Sequence, residues 1–227
     1  MRPYCRDARP VRPIPAKPLA NPMLQFITNS PTVEGTVAQA RQAIEGGCKW
    51  VQIRMKDAPD SDVEAAARQL IPLCKDQGVI LVIDDRVGVV METRVHGVHL
   101  GPDDMPPAQA REVLGPHAII GCTAHNADDI RRLSSLDIDY IGLGPYRHTT
   151  TKSKLAPLLG SEGLSQVMAE VRAAGIETPV VAIGGLTADD VTEVLRCGAS
   201  GIAISGDIIS APDPVEQTRK ILGFCNL

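Results

Sequence analysis

Residues 50–78 read WVQIRMKDAPDSDVEAAARQLIPLCKDQG, and the two halves of that stretch carry different periods. Trp50, Val51 and Ile53 open a short apolar run. Val63, Ala66, Ala67, Leu70 and Cys74 then recur at the three-and-four spacing of an amphipathic helix, which Gly78 stops. The same alternation repeats from Leu24 onward. LQFIT, WVQIRM, ILVID, GVHLG, IIGCTA, YIGLG, PVVAIGG and GIAISG make eight strand candidates, with helix-period segments between them. In TADDVTEVLRCGAS, Thr187 and Asp190 have capping-box spacing and Gly198 ends the helix. Strands that are continuously apolar belong in a parallel sheet covered on both faces, and the intervening helices supply its crossovers. Eight such units in about 200 residues predict an α/β fold, a closed (β/α)8 TIM barrel forming a single domain over residues 23–227.

Composition agrees with one soluble globular domain: 227 residues, 44% apolar and 22% charged. No apolar run reaches the roughly 18 residues of a membrane span, and the start lacks the order of a secretory signal, so a cytoplasmic protein is expected. The six cysteines are dispersed without a CxxC pair, which suits reduced, buried thiols better than disulfides or zinc. Residues 1–22 carry Arg2, Arg6, Arg9, Arg12 and Lys17 against Asp7, a charge of +4, which leaves -8 on the rest of a chain whose net charge is -4. An acidic body argues against nucleic acid as a partner, and the proline-rich start is expected to be a flexible extension. These features do not decide between a monomer and a homo-oligomer.

A barrel of this kind opens the C-terminal ends of all its strands onto one mouth. Gln52, Arg54 and Lys56 alternate along the second strand and so form one inward row, and two cations facing one cavity call for an anion between them. The third and fourth strand ends offer Asp84 and Asp85, then Gly101, Asp103 and Asp104. Each Asp alone is a common turn or cap residue, but carboxylates from neighbouring loops suit Mg²⁺, which keeps several waters and bridges to phosphate. The fifth end supplies Thr123 and His125. After the sixth comes GLGPYRHTTTKSK, whose threonines and Lys152 can hydrogen-bond phosphate oxygens and add charge. At the seventh and eighth ends, Gly184 and Gly185 permit close backbone approach, with the amides of Ile204 and Ser205 opposite, in the place where barrels frequently hold a phosphate. A cation-and-carboxylate site on one side and a phosphate cradle on the other imply two phosphorylated groups bound together.

In order along the chain, QIRMK, DDR, GVHLGPDD, GCTAH, DYIGLGP leading into TTTK, PVVAIGG and AISGDI resemble the thiamine-phosphate synthase family, from about Leu24 to Leu222. The resemblance implies a transferase that joins a hydroxymethylpyrimidine diphosphate to a thiazole phosphate with Mg²⁺, giving thiamine phosphate and pyrophosphate. It implies that Gln52, Arg54 and Lys56 face the diphosphate and that Asp85 and Asp104 ligate Mg²⁺. Thr123 stands where the family usually has serine. Thr149, Thr151 and Lys152 match a loop over the phosphates, with Lys152 joining Arg54 and Lys56 as catalytic cations. Gly185, Ile204 and Ser205, beside Gly184, match the thiazole phosphate cradle. Asp84 departs from the family's asparagine and adds a negative charge beside the diphosphate. Arg147 and His148 also differ from the usual pair, and neither they nor His125 receive a role. Two rivals remain at this point: a thiazole tautomerase, which manages no diphosphate or metal, and a non-catalytic barrel that binds phosphorylated ligands.

Overall fold

A computed structural model describes residues 23–148 and 157–225. Its eight strands, β1 Met23–Ile27, β2 Trp50–Ile53, β3 Ile80–Asp84, β4 Gly97–Leu100, β5 Ile119–Ala124, β6 Tyr140–Leu143, β7 Val180–Ile183 and β8 Gly201–Ile204, are all parallel and close in chain order, β8 pairing with β1. The helices α1 Val33–Glu45, α2 Asp60–Gln77, α3 Val87–Thr93, α4 Pro107–Leu114, α5 Ala127–Ser134, α6 Gly160–Ala173, α7 Val191–Arg196, α8 Gly206–Ile209 and α9 Pro214–Cys225 follow the strands. The predicted barrel is therefore the fold. The extension 1–22 lies outside the described residues, as do Cys5 and the candidates Thr149, Thr151 and Lys152.

Strand alternation divides the core in two. Val51, Ile53, Leu81, Ile83, Val98 and Leu100 face the helices and pack there with the apolar stripes of α1 and α2. Ile27, Trp50, Val82, Ile119, Tyr140, Val181 and Ala203 fill the barrel interior. The interior needs small residues beside its large ones: a Cβ on Gly121 would stand 2.0 Å from the Tyr140 ring. Helix ends follow the sequence signals. Gly78 adopts the left-handed conformation and its N–H closes α2 on the Cys74 carbonyl. The Thr187/Asp190 box caps a 3-10 turn, Ala188–Asp190, that leads into α7. Five cysteines among the described residues are free and buried, and burial raises their thiol pKa, Cys48 to about 11 and Cys122 to about 12, so they are inert packing groups.

Candidate active site

The mouth holds a cavity of about 390 Å³ whose lining includes Arg54, Thr123, Gly184, Gly185, Ile204 and Ser205. These six come from the ends of four strands, β2, β5, β7 and β8, which only closure of the barrel could assemble. Gln52, Lys56, Asp84, Asp85 and Asp104 are not in that lining; Gln52 and the three aspartates are joined beside it through contacts with one another and with Arg54, and Lys56 follows on the same strand end.

On that side of the mouth the inward row of β2 behaves as alternation requires. Gln52 is buried and donates its side-chain N–H to Asp84 Oδ1 at 2.5 Å, while its side-chain oxygen Oε1 is buried without a hydrogen bond among the described residues. Arg54 Nε lies 3.3 Å from Asp84 Oδ2, and Lys56 is exposed at the rim. Asp84 is inward because Ile80 and Val82 are; by the same alternation Asp85 would point into the helix layer. It does not, because its backbone turns left-handed at φ 65°, an uncommon state for a residue with a side chain, held by a hydrogen bond from its N–H to the His99 carbonyl at 2.8 Å. Two consecutive aspartates can therefore face the mouth.

Asp104 is fixed from the other side, its Oδ2 accepting from the Gly101 N–H at 2.6 Å. Asp85 is exposed as a residue, yet protein atoms shield its carboxyl group on the inner side. That desolvation, then the charge of Asp84 and a hydrogen bond with Asp104, push Asp85 up to about 7. No three His, Cys, Asp or Glu residues gather as a complete metal cage among the described residues. Two carboxylates brought within hydrogen-bonding reach of each other nevertheless fit a magnesium ion, which takes one or two protein carboxylates and fills its remaining positions with water and substrate phosphate.

Behind Thr123 runs a buried polar chain. Gln25 Nε2 donates to the Tyr140 hydroxyl at 3.1 Å, that hydroxyl meets His99 Nδ1 at 3.0 Å, and His99 Nε2 meets Thr123 Oγ1 at 3.0 Å. Burial raises the Tyr140 pKa, so the phenol keeps its proton. With the amide donating and the phenol protonated, the donor direction runs toward Thr123, whose hydroxyl hydrogen is then left to donate into the cavity.

The opposite wall is built from backbone. Gly184 and Gly185 have φ 101° and 65°, and a Cβ there would stand 2.8 Å from Pro145 Cα and from the His148 carbonyl respectively. Their freedom thus serves first to let the segment after β6 lie across the end of β7, and only then to open the cradle. Arg147 anchors that segment: its two terminal nitrogens each bond an oxygen of buried Asp190 at 2.5 Å, and Asp190 also accepts from the Thr187 N–H at 2.9 Å. Ser205 Oγ, buried at the cavity, has no hydrogen-bond partner among the described residues.

His125 is a satisfied side chain, its Nδ1 bonding the Gly144 carbonyl at 2.6 Å. The cavity also takes in Thr28 and Asn29 from the end of β1, which the sequence reading passed over although the rule that strand ends form the mouth covers them. His99 and Arg86 were missed too, because their partners lie far away in the chain.

The thiamine monophosphate synthase family model matches residues 24–208. A thiamine-phosphate synthase of Bacteroides fragilis is 49% identical over 201 residues, covering 88% of this chain and 98% of its own. One of Flavobacterium johnsoniae is 37% identical over 199 residues, covering 88% and 92%. Among solved structures, the thiamine phosphate pyrophosphorylase of Pyrococcus furiosus superposes with a TM-score of 0.80 at 30% identity, covering 92% of this chain and 97% of that one. A match over this much of the chain, by sequence and by structure, means that the chain belongs to the thiamine monophosphate synthase family.

Proposed function

We propose that the chain couples 4-amino-2-methyl-5-hydroxymethylpyrimidine diphosphate to 4-methyl-5-(2-hydroxyethyl)thiazole phosphate, or its carboxylated form, giving thiamine phosphate and pyrophosphate. The observation that carries this reading is the pairing of unlike sides at one mouth: Arg54, with the Asp85–Asp104 pair beside the cavity, on one side, and on the other the Gly184–Gly185 backbone with the Ser205 hydroxyl, which has no partner among the described residues. A tautomerase needs only the second wall. A binding module has no use for a carboxylate pair held together against its own repulsion.

Asp85 and Asp104 would hold Mg²⁺, which when bound supplies positive charge to the leaving diphosphate. The bond between the pyrimidine methylene carbon and the diphosphate oxygen breaks with its electron pair leaving on pyrophosphate, and the thiazole nitrogen then bonds to that carbon. Arg54 and Lys56 stabilise the charge growing on the departing group, and Lys152 adds to them by resemblance to the family. Preorganised donors of this sort commonly contribute about 10²–10³ in rate each. The buried Gln52 side-chain oxygen, Oε1, suits the pyrimidine amino group, which feeds electron density toward a carbocation-like carbon. Thr123 donates its hydroxyl hydrogen to the substrate. Ser205 and the amides of Ile204 and Ser205 grip the thiazole phosphate, holding the ring nitrogen near the reacting carbon and supplying proximity.

Incubation with both substrates, with Mg²⁺ and after chelation, tests the reading by following thiamine phosphate and pyrophosphate together. Equimolar products only with the metal are expected. Tautomerised thiazole without coupling selects the first rival, and product after thorough chelation removes the metal from the scheme.

A further inference from the structure

Arg86 follows the two aspartates at the end of β3, but its side chain leaves the carboxylates and crosses to the loop after β2. Nη1 donates to the Met55 carbonyl at 3.0 Å, and Nη2 to the carbonyls of Lys56 at 3.1 Å and Ala58 at 2.7 Å. Nε lies 3.0 Å from Asp60 Oδ1 at the start of α2. One guanidinium thus spans residues 55–60. These carbonyls have left the sheet; that of Met55 also accepts from the Ala58 N–H at 3.2 Å, and loop carbonyls that are not paired by strand or helix need a donor from elsewhere. A planar fork with five N–H groups can meet several carbonyls at once; a lysine ammonium, with its donors on one atom, cannot span them.

From this geometry we propose that Arg86 is a positioning residue of the reaction: it sets the backbone of Lys56, and so the ammonium that faces the diphosphate, in register with Asp85. The register follows from the covalent chain, since Arg86 is bonded to Asp85 and its own N–H bonds the Asp84 carbonyl at 2.8 Å. One residue therefore indexes the cationic loop to the acidic loop across 26–31 positions of sequence. Without it, Lys56 has to be ordered anew in each encounter with substrate, and misplacement of a reacting group by about 1 Å can cost about 100-fold. Among the described residues no hydrogen bond or ion pair of Arg86 reaches the cradle at β7 and β8, so its ligand should not register the loss. The inference rests on Lys56 facing the diphosphate.

The test compares Arg86→Lys, Asp60→Asn and Lys56→Ala with the unaltered chain, in steady-state coupling with each substrate varied and in calorimetric titration of thiazole phosphate. Arg86→Lys is expected to lower kcat/KM for the pyrimidine diphosphate by about 30-fold and to leave thiazole phosphate Kd within about twofold. Asp60→Asn removes one exposed partner of the clamp; it should raise KM for the diphosphate by about threefold with thiazole phosphate Kd unchanged. That variant carries the test should Arg86→Lys fail to fold. Guanidinium ion added to Arg86→Ala should restore part of its turnover and do nothing for Lys56→Ala. Equal losses for both substrates in Arg86→Lys would reduce Arg86 to a fold-stabilising role and overturn the proposal, as would unaltered diphosphate kinetics in Arg86→Lys or in both foldable variants. Unaltered kinetics in Lys56→Ala would overturn the reading of the site itself; a loss there without one in Arg86→Lys overturns the clamp alone.

Discussion

In the proposed function the two walls of the mouth solve one problem, holding an anion, by different physics. The wall at β2, β3 and β4 uses full charges held by hydrogen bonds and ion pairs: the side chains of Gln52 and Arg54 on Asp84, Arg86 on the loop backbone of Lys56, and the Gly101 N–H on Asp104. The wall at β7 and β8 offers backbone and the Ser205 hydroxyl, with Ile183, Ile204 and Leu186 filling the space between; the other polar side chains there are engaged, Asp207 by the Ala188 N–H and Gln217, Thr187 by Asp190, and Ser210 by the Gly206 carbonyl. Formal charge belongs where charge changes during the reaction, because only there does a strong field favour the transition state over the ground state. A phosphate that keeps its charge throughout needs only fixed dipoles. The charged wall should therefore govern turnover, and the neutral wall should govern binding of one substrate.

The sharpest way to break this comparison is to remove charge from the first wall. Lys56→Ala and Asp104→Ala should each lower kcat by about 10²–10³, with thiazole phosphate Kd within about twofold, as measured by coupled pyrophosphate release alongside calorimetry. Parallel losses in kcat and thiazole phosphate binding would mean that the walls are not separate.

How much of this was readable beforehand differs between the walls for the same physical reason. The barrel was legible because each strand is a continuous apolar run and each helix has a local stop, such as Gly78. The residues of the mouth followed because strand ends converge in any such barrel. Arg54, Thr123, Gly185 and Ser205 needed nothing more. The charged wall was legible only as composition. That Asp85 faces the mouth depends on one left-handed φ that defeats strand alternation, and that Arg86 serves Lys56 depends on a side chain reaching back some 30 residues. The Gln25, Tyr140, His99 and Thr123 chain is set by register across the closed barrel, with partners up to 115 positions apart. No local pattern encodes such contacts.

The neutral wall should answer to backbone geometry. Gly185→Ala places a Cβ on a residue at φ 65°, 2.8 Å from the His148 carbonyl and 2.9 Å from Arg147 Cβ. Strain of about 1–3 kcal/mol follows, enough to weaken thiazole phosphate binding about tenfold if the cradle absorbs it. At saturating thiazole phosphate, kcat should stay within about threefold of the unaltered chain, since the charged wall is untouched. A collapse of kcat with KM unchanged would place Gly185 in the chemistry and erase the distinction.

The smallest effect is expected at Asp84, where the family resemblance expects asparagine. Asp84 holds Gln52 and Arg54 in place, and its charge is the second cause of the raised pKa of Asp85. The sign can be worked through. A carboxyl group held up to about 7 in the folded chain favours the protonated native state; its contribution to stability is present below the ordinary carboxylate range and is lost as pH rises through about 7. A divalent ion needs the ionised form, so metal affinity should fall by about tenfold between pH 8 and pH 6. Asp84→Asn retains an oxygen for Gln52 but removes the charge, which moves that window to lower pH and should shrink the loss to about threefold. Calorimetric titration of Mg²⁺ at the two pH values measures both. Identical pH dependence in the two chains would show that desolvation alone holds Asp85 up, and that the extra carboxylate of this chain acts on Arg54 rather than on the metal.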